Sequence, residues 1–169
     1  REASKRTKYP RRDAVITLQG DFTDPPEHLQ ELIRRFEGGA DIVVAERPKD
    51  DRAPQAVRRL QRVAPWMLRP FARVPGVSDL FGALRLYRVS LLRDLAKEDA
   101  GPLVHGQGWA ANADLLVRLA RHARRIETVE LAPRYDLRPR ASRIRALPAA
   151  VDLFKFGRTA RARWASRAS

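Results

Sequence analysis

The sequence predicts an α/β fold in which helices flank a mostly parallel central sheet. The first observation is an apolar run rich in β-branched residues over Val15–Leu18, which is typical of a buried parallel strand. The second is a helical pattern that ends at Gly38-Gly39, and the third is a further apolar run, Ile42–Ala45. A strand, a helix and a second strand in this order form a βαβ unit, from which parallel sheets are built.

The helix between these two strands carries its own boundary signals. Asp24 is a good N-cap residue, Pro25 suits the first helical position, and Glu27 follows as a capping-box partner. Gly38 and Gly39 predict where the helix ends. Apolar residues at helical spacing predict its buried face: Leu29, Leu32, Ile33 and Phe36.

Proline and polar residues divide the middle of the chain. A helical pattern is predicted to run to about Ala64 and to resume after Pro65. Leu80–Tyr87 is predicted as a strand, and Ser90 is predicted to cap a short helix that extends to Ala96.

Loops, a helix and a strand are predicted in the later part of the chain. A glycine-containing loop around His105 is predicted to form a lid, with His105 itself as a flexible loop residue. A strong helix is predicted from about Trp109 to His122. A strand over Ile126–Leu131 and a basic loop over Pro133–Arg143 come next.

The chain is predicted to close with a basic amphipathic helix. We assign residues 1–143 to one domain and residues 144–169 to this helix and a tail. Its apolar stripe consists of Ile144, Leu147, Val151 and Phe154. Such a helix either lies on an anionic membrane surface or packs on the domain with a solvated basic face.

Composition limits the class of protein and of partner. Hydrophobic residues make up 44% of the 169 residues and charged residues 32%, which indicates a soluble globular domain. The absence of cysteine excludes disulfides and thiolate metal sites. The net charge of +14 favours polyanionic partners, but the basic residues are scattered without interleaved aromatics, so nucleic acid is not expected.

Polar residues follow the first predicted strand directly. Gln19, Asp21 and Asp24 come at or just after its carboxyl end. In open α/β sheets, ligands bind in the crevice outside the carboxyl ends of the strands. We therefore expect the chemistry at this edge.

Five short motifs occur in a fixed order along the chain. They are Gln19–Glu27, Ala45–Arg47, Asp79–Arg85, Asp114–Leu116 and Arg138–Arg143. Their order resembles the family 2 glycosyltransferases of the GT-A fold, in particular the branch of dolichyl-phosphate mannosyltransferase and bacterial polyprenyl-phosphate sugar transferases. Members of that branch show Asp-x-Asp before Gln-Asp-Pro-Pro-Glu, then Gly-Ser-Arg, Asp-x-x-x-Gly-Phe-Arg, Glu-Leu-Leu and Arg-x-x-Gly-x-Ser-Lys. The resemblance extends from Asp13 to Arg143.

The chain departs from the family pattern at three points. Gln19 stands where the family has the first Asp of Asp-x-Asp, which removes one carboxylate near the metal and the nucleotide. Arg143 replaces the final Lys and keeps its charge. The opening part of the family, whose strands and loops grip the nucleobase and ribose, has no counterpart, so we expect a GT-A fold that is incomplete at its N-terminus.

The resemblance implies a role for each motif residue. Asp21 would hold Mg²⁺ or Mn²⁺ against the diphosphate of a nucleotide-sugar donor. Asp79 and Asp114 are candidates for a catalytic base, which a hydroxyl acceptor needs and an ionised phosphate acceptor does not. The residues predicted to bind substrate are Gln19, Arg47, Arg85, Arg138, Ser142 and Arg143.

Each of these roles has a structural alternative. Asp21 is otherwise a solvated carboxylate after a strand, and Asp24 is explained by helix capping alone. Asp79 would otherwise cap a turn, and Asp114 would lie on a solvated helix face. The segment around Arg138 would then be a basic exposed loop.

The function implied is metal-dependent, inverting transfer of a sugar to a lipid phosphate or to another hydroxyl or phosphate acceptor. The location implied is cytoplasmic, with peripheral contact at the cytoplasmic membrane face through the C-terminal helix. Gln19 keeps a second hypothesis open, a catalytically degenerate glycosyltransferase-like binding module. The charge of +14 alone motivates a third, a basic nucleic-acid-binding protein.

Overall fold

The computed structural model describes residues 7–20, 22–48, 58–59, 62–63, 73–98, 101–137, 151 and 154–161. Within these ranges a four-stranded sheet carries helices on both faces. The strands are β1 (Ala14–Thr17), β2 (Ile42–Glu46), β3 (Arg85–Arg88) and β4 (Ile126–Glu130). The helices are α1 (Glu27–Glu37), α2 (Val89–Glu98) and α3 (Gly108–Ala120), and a 3₁₀ turn spans Tyr135–Leu137.

The sheet is mixed and has the strand order β1-β3-β2-β4. Strand β3 runs antiparallel to both β1 and β2, whereas β2 and β4 are parallel. Strands β1, β2 and β4 therefore point in one direction and β3 in the other. The α/β class is confirmed, with one correction to the predicted mostly parallel sheet. Strand β3 lies between the two strands of the βαβ unit, so two of the three described pairings are antiparallel.

Strand β2 forms the centre of the core. Its first four residues are at most 5% exposed and alternate between two apolar clusters. Ile42 and Val44 pack with Tyr87 and the buried residues of α2 and α3. Val43 and Ala45 face the other side and share a cluster with Leu32 of α1. This alternation is the period of two that a strand buried on both faces requires.

Strand β1 lies at an edge of the described sheet, where it pairs with β3. Its four residues are half-buried, the strand ends at Thr17, and Leu18 is 51% exposed. The expectation of a strand buried on both sides is therefore wrong for β1. A β-branched apolar run signals a strand, but its burial depends on how many neighbours it acquires.

Helix α1 begins later than its boundary signals predict. Pro26 occupies the N-cap position and no side chain caps the helix, so the predicted capping box does not form. The carboxylate of Asp24 instead accepts a hydrogen bond from the backbone N–H of Gln19 at 3.2 Å. The end is as predicted, with Gly38 at the C-cap and Gly39 at a φ of 101°.

The β3–α2 junction also differs from its prediction. Strand β3 begins at Arg85, and residues 79–84 form the loop before it. Helix α2 follows β3 without a loop, so Ser90 lies inside the helix and does not cap it. Backbone carbonyls replace the side-chain cap, because the N–H groups of Val89 and Ser90 donate to the oxygens of Asp13 and Pro10 at 2.9 Å.

The terminal helical segment, residues 154–161, packs on the domain through one side. Ala160 is fully buried, and Phe156 packs against the same cluster as α2 and α3. Val151 and Phe154 are 48% and 40% exposed, so these members of the predicted apolar stripe do not form the packed side. Ile144 and Leu147 lie outside the described residues. So does most of the helix predicted to end near Ala64, of which 58–59 and 62–63 are helical.

The contact between the terminal helical segment and Gly106 yields a stability prediction. Gly106 has a φ of 81°, and a Cβ there would lie 2.9 Å from the Phe156 ring. Gly76 has a φ of 76° with no atom near its missing Cβ, so it is a matched control. Gly76→Ala should lower the free energy of unfolding by about 1 kcal/mol, the cost of a left-handed alanine. Gly106→Ala should cost clearly more in urea denaturation, and equal losses would contradict the packing of Phe156.

Candidate active site

A pocket lies at the edge where the carboxyl ends of β1, β2 and β4 meet. Its wall contains residues that follow each of these strands, together with the loop before β3. The lining residues are Gln19, Thr23, Asp24, Ala45, Arg47, Gly82, Ala83, Leu84, Leu131, Pro133 and Tyr135. This is the edge at which ligands bind in open α/β sheets.

Arg47 is the positively charged residue of the pocket wall. Its side chain is 13% exposed, and its Nε donates to Oδ2 of Asp79 at 3.1 Å. The guanidinium carbon lies 5.8 Å from the ring centroid of Trp109. Its Nη2 is buried and has no hydrogen-bond partner among the described residues. Arg47 therefore lies in the pocket wall as a cation, with Nη2 covered by the protein and its guanidinium also next to Tyr135.

Neighbouring side chains favour the protonated, positively charged form of Arg47. Burial, the largest single influence, acts to lower the pKa of Arg47. The attractions of Asp79 and of Tyr135 act in the opposite direction and outweigh it, so the pKa is raised overall. Arg47 is thus a cation at neutral pH.

Two carboxylates hold the loop at residues 78–82 in place. Glu46, the last residue of β2, accepts hydrogen bonds at 2.6 Å from both the backbone N–H and the hydroxyl of Ser78. Oδ1 of Asp79 accepts from the N–H groups of Phe81 at 2.8 Å and Gly82 at 2.9 Å. Oδ2 of Asp79 is bonded to Arg47. Asp79 therefore orients both the loop and the arginine.

The loop after β1 forms another part of the wall. The hydroxyl of Thr23, a buried residue, donates to Oε1 of Gln19 at 3.5 Å. The hydroxyl of Thr17 donates to the carbonyl of Ala83 at 2.7 Å, which joins this wall to the loop before β3. Gln19, predicted to bind substrate, thus lies in the pocket with Arg47.

Arg85 is placed away from the pocket wall. It is fully buried and is not a pocket-lining residue. Its Nη1 donates to the carbonyl of Asn112 at 2.5 Å, and its Nη2 donates to the carbonyl of Asp79 at 3.3 Å. Through these two bonds Arg85 ties the loop at 78–82 to α3, and its predicted contact with substrate stays a prediction.

Asp114 is also buried away from the pocket. It has no exposed surface, and its Oδ2 lies 3.3 Å from Nη1 of Arg118 and 3.2 Å from Nδ1 of His105. A general base must reach the proton that it accepts, and in this structure Asp114 has no exposed surface; its role as a base stays a prediction. The expectation that His105 is only a flexible loop residue is wrong, because its ring joins this buried group.

Two features of the site were missed in the sequence. Tyr135 falls in the segment predicted as a basic loop, and only its place after β4 puts it at the same edge as Arg47. The Asp114–Arg118 pair had a usable signal, since a spacing of four residues brings two side chains together on a helix.

A comparison with protein-family models identifies the chain. Residues 6–96 match the model of glycosyl transferase family 2, which is more than half of the sequence. This chain is a family 2 glycosyltransferase. The match includes the loop after β1, Arg47 and the whole segment from Asp79 to Arg85.

The mixed α/β sheet of this glycosyltransferase is consistent with the GT-A fold. The family generally uses a divalent metal. Among the residues that the structure describes, no group of three His, Cys, Asp or Glu side chains could hold one. The carboxylate among the lining residues is Asp24, which already accepts from Gln19.

Several predicted site residues lie outside the described ranges. They are Asp21, Arg138, Ser142 and Arg143. Their assignment to the metal and to phosphate stays a prediction. In the described part of the glycosyltransferase, no helix is both long enough and apolar enough to span a bilayer.

The buried position of Asp114 yields a second stability prediction. Asp114→Asn leaves the Arg118 charge buried without its ion pair, which should lower the free energy of unfolding by about 3–5 kcal/mol. Asp94→Asn is the control, because Asp94 pairs with Lys97 on the exposed side of α2 and should cost less than about 1 kcal/mol. Urea denaturation at neutral pH measures both. Similar losses would contradict the buried ion pair.

Proposed function

We propose that this glycosyltransferase transfers a sugar from a nucleotide-sugar donor to a phosphate acceptor, a polyprenyl phosphate, with inversion at the anomeric carbon. The observation that carries the proposal is Arg47, a cation in the pocket wall. The guanidinium of Arg47 is a cation that lines the pocket, so a phosphate oxygen of a bound substrate would gain a charge-assisted hydrogen bond from it.

The donor class follows from the family and agrees with the electrostatics. Family 2 glycosyltransferases take a nucleotide-sugar donor, whose diphosphate is an anion. The net charge of +14 attracts such a substrate to the protein, and Arg47 places one positive charge in the pocket wall. Gln19, on the loop after β1, supplies an amide that can bond to sugar or phosphate oxygens.

The positions of the two predicted bases support a phosphate acceptor. Asp114 has no exposed surface, and Asp79 already accepts from three donors. A hydroxyl acceptor would need a carboxylate free to accept its proton, whereas a phosphate is already ionised. In the proposed step an acceptor phosphate oxygen bonds to the anomeric carbon as the bond from that carbon to the donor diphosphate breaks. No proton is transferred, and Asp79 acts by holding Arg47.

The remaining site residues are proposed from the resemblance alone. Asp21 would contribute to a site for Mg²⁺ or Mn²⁺, and the ion would supply positive charge next to the leaving diphosphate. Arg138, Ser142 and Arg143 would bind phosphate, since guanidinium groups form bidentate bonds with phosphate oxygens.

Membrane contact is proposed for the terminal helical segment. Its packed side is formed by Phe156 and Ala160, whereas Phe154, and Val151 just before the segment, are exposed. Lys155, Arg158 and Arg161 are exposed on the same segment. Exposed apolar and basic residues together fit the surface of a membrane that contains anionic lipids, where a polyprenyl phosphate resides.

The anion-binding role of Arg47 is tested by substitution. Arg47→Met should weaken binding of a nucleotide sugar by about 10-fold to 100-fold, the loss of a charge-assisted hydrogen bond. Arg47→Lys should recover part of the affinity, because it keeps the charge but not the planar fork. Calorimetry with UDP-glucose and GDP-mannose in the presence of Mn²⁺ measures the affinity. Arg34→Met on the exposed face of α1 is the matched control and should change nothing.

Transfer assays with the same proteins separate the two functional hypotheses. Sugar transfer to a short-chain polyprenyl phosphate supports the enzyme and should be lost with Arg47→Met. A wild-type protein that binds donor without transferring sugar would support the degenerate binding module, most clearly if Gln19→Asp restored turnover. Donor binding that is unchanged by Arg47→Met would refute the proposed site.

The membrane contact is tested by sedimentation with lipid vesicles. The protein should bind vesicles that contain phosphatidylglycerol and should bind pure phosphatidylcholine poorly. The double substitution Val151→Ser, Phe154→Ser should weaken binding by about 10-fold or more, since burial of such side chains contributes about 1.5–3 kcal/mol each. Ile33→Ser removes an exposed apolar residue of α1 and is the control. An equal effect of both changes would contradict the proposed surface.

A further inference from the structure

We infer that Trp109 is a positioning residue of the active site, which fixes the plane of the Arg47 guanidinium and thereby the direction of its Nη2. The inference rests on the proposed function, because it takes Arg47 as the group that binds anions. It also makes the first turn of α3 part of the active site, although no residue of α3 lines the pocket.

Two contacts constrain the guanidinium of Arg47 in different ways. The hydrogen bond from Nε to Asp79, at 3.1 Å, fixes one edge of the group. Alone, this bond leaves the plane free to tilt about it. The Trp109 ring lies 5.8 Å from the guanidinium carbon, within the range of cation–π attraction, and restricts that tilt. With Tyr135, which also interacts with the guanidinium, these two contacts restrict where Nη2 points.

The two contacts belong to one tightly connected unit. Trp109 stacks on Phe81 at a centroid distance of 5.7 Å, and Phe81 is 3% exposed. The N–H of Phe81 donates to Asp79, and its carbonyl accepts from the Asn112 side chain at 3.0 Å. The carboxylate and the ring that hold Arg47 are therefore both fixed to Phe81.

Buried Arg85 reinforces this unit. It donates to the carbonyl of Asp79 and to the carbonyl of Asn112, so it bridges the loop and α3 directly. A movement of the first turn of α3 relative to the loop would break these bonds and shift the ring that faces Arg47. Trp109 is thus placed accurately enough to act on a neighbouring charge.

A structural role for Trp109 makes a different prediction from a positioning role. If Trp109 only filled space, its replacement would lower stability, and any effect on binding would persist in the absence of Arg47. If Trp109 acts through Arg47, its effect on binding must disappear when Arg47 is replaced. A double-mutant cycle measures this difference.

The cycle uses inorganic pyrophosphate as the probe and calorimetry as the measurement. Trp109→Leu should weaken pyrophosphate binding about 3-fold to 10-fold in the wild-type background and less than 2-fold in the Arg47→Met background. Trp109→Phe keeps a ring and should recover most of the affinity. Phe36→Leu is the matched control, because it removes a ring that faces Arg88 at 4.4 Å outside the pocket, and it should leave the affinity unchanged. A Trp109→Leu effect of equal size in both backgrounds would overturn the inference.

A second measurement needs no bound ligand. In a protein with Trp66→Phe and Trp164→Phe, Trp109 is the remaining tryptophan of this chain and reports on its own surroundings by fluorescence. Arg47 attracts anions to the ring, so Arg47→Met should lower the ratio of quenching by iodide to quenching by acrylamide. Arg34→Met should leave the ratio unchanged.

The two measurements distinguish failure of this inference from failure of the proposed function. If the protein binds no pyrophosphate, the anion-binding function of Arg47 fails, and the quenching ratio alone decides on the contact. A ratio that Arg47→Met lowers then supports the positioning of Arg47 by Trp109. A ratio that does not change overturns it.

Discussion

The structure depends on a buried cation. Arg85 at the start of β3 is fully buried, and its described partners are carbonyl and hydroxyl oxygens. Removing a guanidinium from water is expensive, so the groups around it must stay in place to compensate. Those groups are the backbone at Asp79 and at Asn112, so Arg85 holds together a loop and a helix that are far apart in sequence. Arg47 contacts one side chain from each, Asp79 of the loop and Trp109 of α3.

The sequence predicted the elements whose burial follows from their own composition. The first four residues of β2 are apolar and buried at the centre of the core, and α1 ends at two glycines as expected. Elements whose surroundings depend on distant segments were predicted less well. The position of β1 at an edge depends on β3, and the cap of α2 is supplied by the carbonyls of Asp13 and Pro10. Local signals such as Asp24 and Ser90 could not reveal these partners.

In the candidate site, too, some features were predictable from the sequence and others depend on distant segments. The edge of the sheet was predictable, because the rule for open α/β sheets concerns strand direction alone, and Arg47 and Gln19 do lie there. Burial of Arg85 and Asp114 was not predictable from residue type, because charged residues are seldom buried unless they find partners. Their partners come from other segments or, for Asp114, from a helical neighbour at a spacing that was visible in the sequence.

The packing of Phe156 on Gly106 has a mechanical consequence. The ring lies against the backbone of a segment that leads, three residues later, to Trp109. Because Gly106 has no side chain, the Phe156 ring packs directly on its backbone. The terminal helical segment therefore lies in contact with the backbone that leads into the turn carrying Trp109. Displacement of the terminal helical segment would disturb the chain just before the first turn of α3.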